Sequence, residues 1–184
     1  GVQNTIIGGL AGDALTTGEN NVAVGYAALS ADVAGADNVA IGVGAMAVTD
    51  NARANVAIGF NSLQTLDYGS LTYSHNIGIG FDTGKLITTG VENTLIGGLA
   101  GDALTTGHFN VAIGYLALSA EDDHGRNVAV GKGALQLLNA GADGFNTAVG
   151  NLAGTAMTTG VQNTTVGGRA GDALTTGIEN VSLG

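Results

Sequence analysis

The sequence predicts an all-β fold, a parallel β-solenoid or β-roll of about eleven coils, and three observations point there. A unit of Asn, then Val, Thr or Ile, a variable residue, Ile, Val or Leu, and Gly recurs from end to end, led by Asn4, Asn21, Asn38, Asn55, Asn76, Asn93, Asn110, Asn127, Asn146, Asn163 and Asn180. The intervals are 17, 17, 17, 21, 17, 17, 17, 19, 17 and 17 residues. A short period sustained in this way belongs to stacked repeats, not to a globule with one central core. The composition agrees: 33 glycines, no Pro, Cys or Trp, and 45% hydrophobic residues among 184. That is too apolar for a disordered chain and lacks the Gly-X-Y period of collagen.

Each coil is expected to open with a short strand. One and three places after the asparagine stand β-branched residues, such as Val22 and Val24, Val39 and Ile41, Val56 and Ile58, Ile77 and Ile79. Side chains two apart share a strand face, so these columns are expected to lie buried in a narrow spine. The column between them, Ala23, Ala40, Ala57, Gly78, Ala112, Ala129 and Ala148, is then expected to face outward. A small, uncharged outer face suits close approach of another chain.

Seven places after the asparagine comes another small column: Ala11, Ala28, Ala45, Ser62, Thr83, Ala100, Ala117, Ala134, Ala153 and Ala170. It reads as a second short strand, with the intervening Gly at the corner and a return through turns such as Leu15-Thr16-Thr17-Gly18. Asparagine at each coil start suits a turn residue that tolerates left-handed geometry, and stacked amides can hydrogen-bond along the solenoid. Ten coil-to-coil steps of about 4.8 Å make a rod of roughly 50 Å. Such thin coils enclose little core, so side-by-side association of identical chains is expected.

Charge narrows the partners. A formal net charge of −10, with five Lys and Arg in all, supplies no basic stripe for nucleic acid or anionic lipid. No apolar run reaches the roughly 18 residues of a membrane span. Without cysteine there are neither disulfides nor thiolate metal ligands. Gly1-Val2-Gln3-Asn4-Thr5 restates Gly160-Val161-Gln162-Asn163-Thr164, so residues 1–184 are read as one solenoid segment excerpted from a longer fibre. Asn4 to Ala31 and Asn93 to Ala120 match at 23 of 28 positions, as recent duplication of a shaft would leave them.

The units Asn21-Val-Ala-Val-Gly-Tyr-Ala-Ala-Leu-Ser and Asn110-Val-Ala-Ile-Gly-Tyr-Leu-Ala-Leu-Ser, with the turn Leu-Thr-Thr-Gly at 15–18, 104–107 and 174–177, resemble YadA-like repeats of trimeric fibres. Two groups carry them: head domains of trimeric autotransporter adhesins, and stalks of phage tail fibres that are often followed by an endosialidase-type chaperone domain. The resemblance implies a left-handed parallel β-roll in a homotrimer, outside a cell or on a virion. The 17-residue interval is closer to the phage form, since adhesin heads commonly use shorter coils. The expected function is therefore a structural shaft supporting host attachment. The alternatives are an adhesin head that binds host matrix or glycan, and a self-assembling extracellular filament. The expected partner is the chain itself, with a host surface glycan or protein as a second.

The 21-residue coil from Asn55 supplies the candidate contact residues Asp67, Tyr68, Tyr73 and His75. Insertions in a solenoid fall in loops on one face, tyrosines stack on sugar rings, and Asp and His can hydrogen-bond them. The bland alternative is a bulge whose tyrosines cover a neighbouring coil or chain. The 19-residue coil from Asn127 reads as a turn variant. Gly8-Gly9-Leu10-Ala11-Gly12-Asp13 fails the calcium nonapeptide pattern in spacing, and the paired threonines are too interrupted for an ice-binding lattice. Tyr26, Phe60, Phe81 and Tyr115 share one column, which indicates packing at a corner or chain contact. His75, His108 and His124 occupy different columns, so no His metal cluster, cofactor or catalytic dyad is expected, and no enzyme.

Overall fold

A computed structural model describes residues 1–184. It contains thirteen strands and no helix: β1 (Thr5–Ile7), β2 (Val22–Val24), β3 (Val39–Ile41), β4 (Asp50–Arg53), β5 (Val56–Ile58), β6 (Asp67–Tyr73), β7 (Ile77–Ile79), β8 (Thr94–Ile96), β9 (Val111–Ile113), β10 (Val128–Val130), β11 (Thr147–Val149), β12 (Thr164–Val166) and β13 (Val181–Leu183). Eleven of them form one parallel sheet in chain order, each led by one of the repeated asparagines. Register is kept throughout, Val22 beside Val39, Val39 beside Val56, Val56 beside Ile77. The chain is a parallel β-solenoid of about eleven turns. No helix is long and apolar enough to cross a membrane.

The strands face opposite to expectation. The middle residue of each inner strand is buried, as at Ala23, Ala40, Ala57, Leu95, Ala112, Ala129 and Ala148, while its β-branched neighbours are half-exposed. Volume explains the inversion. The interior of so narrow a roll must also hold the residues eight places after the asparagine, Leu29, Met46, Leu63, Leu118 and Leu135, all fully buried. Opposite these the strand can carry only Ala or Gly; a Cβ on Gly78 would sit 2.7 Å from Leu63 Cγ. Where the strand residue is larger, the turn residue shrinks. Ile6 is matched by Gly12, Leu95 by Gly101 and Thr165 by Gly171, and a Cβ on Gly101 would come within 3.0 Å of Leu95 Cδ2. Close packing favours this exchange of size; the two coils that are small at both places, Gly78 with Gly84 and Ala148 with Gly154, are filled from adjacent coils by Leu63 and Leu95 and by Leu135 and Thr165.

A second correction concerns the other strand expected in each coil. Residues six and eight places after the asparagine hold positive φ, for example Ala27 (55°) and Leu29 (52°), Asn61 (49°) and Leu63 (47°). Left-handed residues on both sides of the small column prevent an extended run. The segment is instead a chain of turns whose amides still bond the next coil, as Leu29 N–H donates to the Ala45 carbonyl at 2.9 Å. Only β4 and β6 form a second, two-stranded parallel sheet.

The asparagines themselves are not the left-handed residues. That role falls to the residue before each, including Gln3, Asn20, His75, Phe109, Arg126 and Phe145. Each asparagine Oδ1 accepts the backbone N–H of the next asparagine, over ten successive steps at 2.9–3.2 Å. Most Nδ2 groups also donate to the carbonyl fourteen residues on, such as Gly35, Gly90, Gly107 and Gly160. Asn21 through Asn163 are fully buried within this ladder, as buried amides must be if they are to be satisfied.

Candidate functional site

The long coil diverges from the repeat between Asp67 and Tyr73. In the small sheet Asp50 pairs with Asp67, but Ala52 pairs with Thr72 and Arg53 with Tyr73. Three of the four extra residues therefore bulge out of β6, as an insertion in one strand of a pair must, and the fourth falls between Tyr73 and Asn76. This separates the four candidates. Asp67 stands exposed at one end, its Oδ1 accepting the Gly69 N–H at 3.1 Å.

Tyr68 is half-buried and points back into the roll. Its hydroxyl donates to the Gly90 carbonyl at 2.6 Å and accepts from Asn76 Nδ2 at 3.0 Å, so it extends the asparagine ladder sideways. Burial pushes its phenol above the ordinary tyrosine range, against the opposing pull of its hydrogen bonds. That hydroxyl is committed to structure.

Tyr73 and His75 lie together at the other end. Tyr73 is 58% exposed, its ring stacks on the exposed His75 imidazole with centroids 6.0 Å apart, and the Arg53 guanidinium lies 5.6 Å from its centroid. The result is a small solvent-facing platform of two rings and one cation, with Leu71 exposed beside it. Arg53 was not singled out from the sequence. The signal for it was its place directly below the insertion, one coil back from Tyr73.

A second aromatic and cationic group follows the row of left-handed corners. The Arg126 guanidinium sits between Phe109 and Phe145, at 5.3 and 5.5 Å from their centroids, and pairs with Asp143. Asp143 balances its charge and the two rings flank its plane, so the group reads as surface packing. No cleft interrupts the surface of the roll.

The largest feature is the outer face of the eleven-stranded sheet. Its β-branched columns carry no charged residue on any strand. Five places after the asparagines an exposed aromatic column flanks it: Tyr26, Phe60, Phe81 and Tyr115, with Phe60 and Phe81 stacked at 5.4 Å. Three-residue strands over eleven coils give an apolar strip on the order of 500 Å², in the size class that marks an interaction surface.

No family model, curated protein or solved structure matches the chain.

Two coils place an acid where the others place Leu, Ile, Met or, once, Thr (Thr49), eleven residues after the asparagine. Asp32 Oδ1 accepts the N–H groups of Gly35 (2.7 Å) and Asn51 (3.3 Å), while Oδ2 is buried without a partner. Glu121 repeats the arrangement, accepting from His124 N–H (3.2 Å) and Ala140 N–H (3.1 Å). Burial drives both carboxyls above the usual carboxylate range, with those backbone N–H groups pulling the other way.

For Asp32 the sign is clear. Its folded-state pKa exceeds the unfolded one, so the folded chain binds the proton more tightly. The associated stability is fully present below the ordinary Asp pKa and is lost as pH rises through the raised value. The expected result is a melting temperature that falls as pH rises above the ordinary Asp value of about 4, with Asp32→Asn flattening part of that fall. Identical pH profiles for the two chains would exclude this role for Asp32.

Proposed function

We propose that the chain is a shaft segment of a trimeric extracellular fibre, of the phage tail-fibre kind, that holds a host-attachment element away from its base. The observation that carries this reading is the uncharged β-branched face presented outward by every strand of the main sheet. A solitary roll would leave it in water. Three copies packed about a common axis would bury it and supply the shared core that one thin coil lacks. The resemblance of the repeats to left-handed trimeric β-rolls supports the same assembly. The absence of a cleft, and a surface made of repeated turns, suit a spacer better than a catalyst.

Light scattering on the purified chain tests the assembly directly. The expected mass is three copies, and Ile58→Lys with Ile79→Lys, neighbours on the exposed face, are expected to convert it to a soluble monomer. A stable monomer of the unsubstituted chain would overturn the proposal. The platform of Arg53, Tyr73 and His75 favours the adhesin reading as second choice, because it places exposed rings on the one coil with a long insertion and a cation on the coil beside it. A host glycan would stack there on Tyr73 and His75, without Tyr68.

A further inference from the structure

The geometry points to a divalent transition-metal site in the return turn of the seventh coil, with Glu121, Asp122 and His124 as its protein ligands. One ligand atom from each lies within 4.8 Å of the other two; Glu121 Oε1 and His124 Nδ1, 3.4 Å apart, already have the separation of two ligands on one ion with bonds of about 2.0–2.2 Å, and the half-buried Asp122 carboxylate has to turn inward to join them. Two carboxylates and an imidazole suit zinc or nickel better than calcium, which takes oxygen alone.

The turn itself does not account for this set. Its counterpart in the second coil, Asp32-Val33-Ala34-Gly35, makes the same two backbone bonds through Asp32 with neither a second acid nor a histidine. Capping therefore explains Glu121, and Asp122 Oδ1, which accepts the Asp123 N–H at 2.7 Å, but it leaves Asp122 Oδ2 and the His124 ring over. An independent observation concerns His124. Its Nδ1 is buried, accepts or donates no hydrogen bond, and faces Glu121 Oε1 at 3.4 Å. A ring nitrogen held against a carboxylate oxygen without bonding it, on a side chain still 30% exposed, is placed as a metal ligand would be. The metal also brings in Asp122, and it supplies the positive charge that a fully buried glutamate lacks. Asp122 and His124 are only half-buried, so an ion reaches the site without opening the roll. Asp123 turns away to the hydroxyls of Thr105 and Thr106 and leaves the set at three, with water completing the shell.

Calorimetric titration of the metal-free chain with zinc chloride and with nickel chloride tests the assignment, alongside melting curves at each metal concentration. Expected are one saturable site per chain in the micromolar range and a rise in melting temperature that calcium chloride does not reproduce. His124→Ala and Asp122→Asn, both on the outer side of the turn, are expected to weaken binding about tenfold or more. His75→Ala, in a distant coil, is expected to leave it unchanged. The site is refuted if no saturable binding occurs, or if binding survives His124→Ala, which would mark the ion as adventitious. A melting temperature that depends on pH through His124 but ignores zinc would instead assign the pair to a shared proton, and would equally overturn the metal.

Discussion

Asn93→Ala is expected to destabilise the chain by roughly 3 to 5 kcal/mol, a large share of the stability of a domain this size. The asparagine is fully buried. Its Oδ1 accepts the Asn110 N–H at 3.0 Å, and its Nδ2 donates to Asn76 Oδ1 at 3.1 Å and to the Gly107 carbonyl at 2.9 Å. Alanine leaves a buried N–H and a buried carbonyl with nothing to bond, at about 1–3 kcal/mol each. Asn93→Asp keeps the acceptor but turns an oxygen toward two other oxygens, so at neutral pH it is expected to be at least as damaging. Asn151→Ala is the control. That asparagine is exposed and outside the column, and its loss is expected to stay within about 0.5 kcal/mol. Denaturant titration of the three variants checks the set, and equal midpoints for Asn93→Ala and Asn151→Ala would show that the ladder adds nothing.

Gly97→Ala is expected to cost about as much, and for an unrelated reason. Its φ of 128° is a conformation open to glycine and strained for every other residue. The added Cβ would also lie 2.7 Å from the carbonyl carbon and oxygen of Gly114 in the next coil, and backbone cannot move aside as a side chain can. The same conformation recurs at Gly8, Gly25, Gly42, Gly59, Gly80, Gly114, Gly131, Gly150 and Gly167, which makes the column a requirement of stacking at about 4.8 Å. The neighbouring Gly98 is the control, since a Cβ there meets the Tyr115 ring at 3.6 Å and the Phe81 carbonyl oxygen at 3.9 Å, both ordinary contacts. Gly97→Ala is expected to lose about 3 to 5 kcal/mol, and Gly98→Ala about 0.5 or less. Similar melting temperatures for the two variants would contradict this account of the corner.

The coil count and the parallel stacking were legible because both rest on period alone, and asparagines at 17-residue intervals admit little else. The facing of the strands was not. Val22 and Val24 look like core residues by chemistry, and Ala23 looks like a surface compromise. The deciding information lay in pairs: Ile6 with Gly12, Leu95 with Gly101, Thr165 with Gly171, against Ala23 with Leu29 and Ala112 with Leu118. Residues that trade volume across six positions must share an interior, and a column-by-column reading does not reveal such trades. The extra strand failed for a local reason, since left-handed Ala27 and Leu29 carry no mark in the sequence.

Tyr68 and Tyr73 could not be told apart along the chain, because the bulge in β6 turns one to the ladder and the other to solvent. The cluster at Glu121 escaped notice because histidines were compared between columns. Its three members instead sit within four consecutive residues of one turn.

The volume trade also bears on how such a rod can grow. The segment from Asn4 to Ala31 contains one coil with a bulky strand and an empty turn, followed by one with the reverse, and the segment from Asn93 to Ala120 contains the same pair in the same order. Copying that two-coil module transfers matched halves together, so the interior stays filled without a compensating change elsewhere. Lengthening by tandem duplication is then nearly neutral for the fold, and selection is left to act on reach.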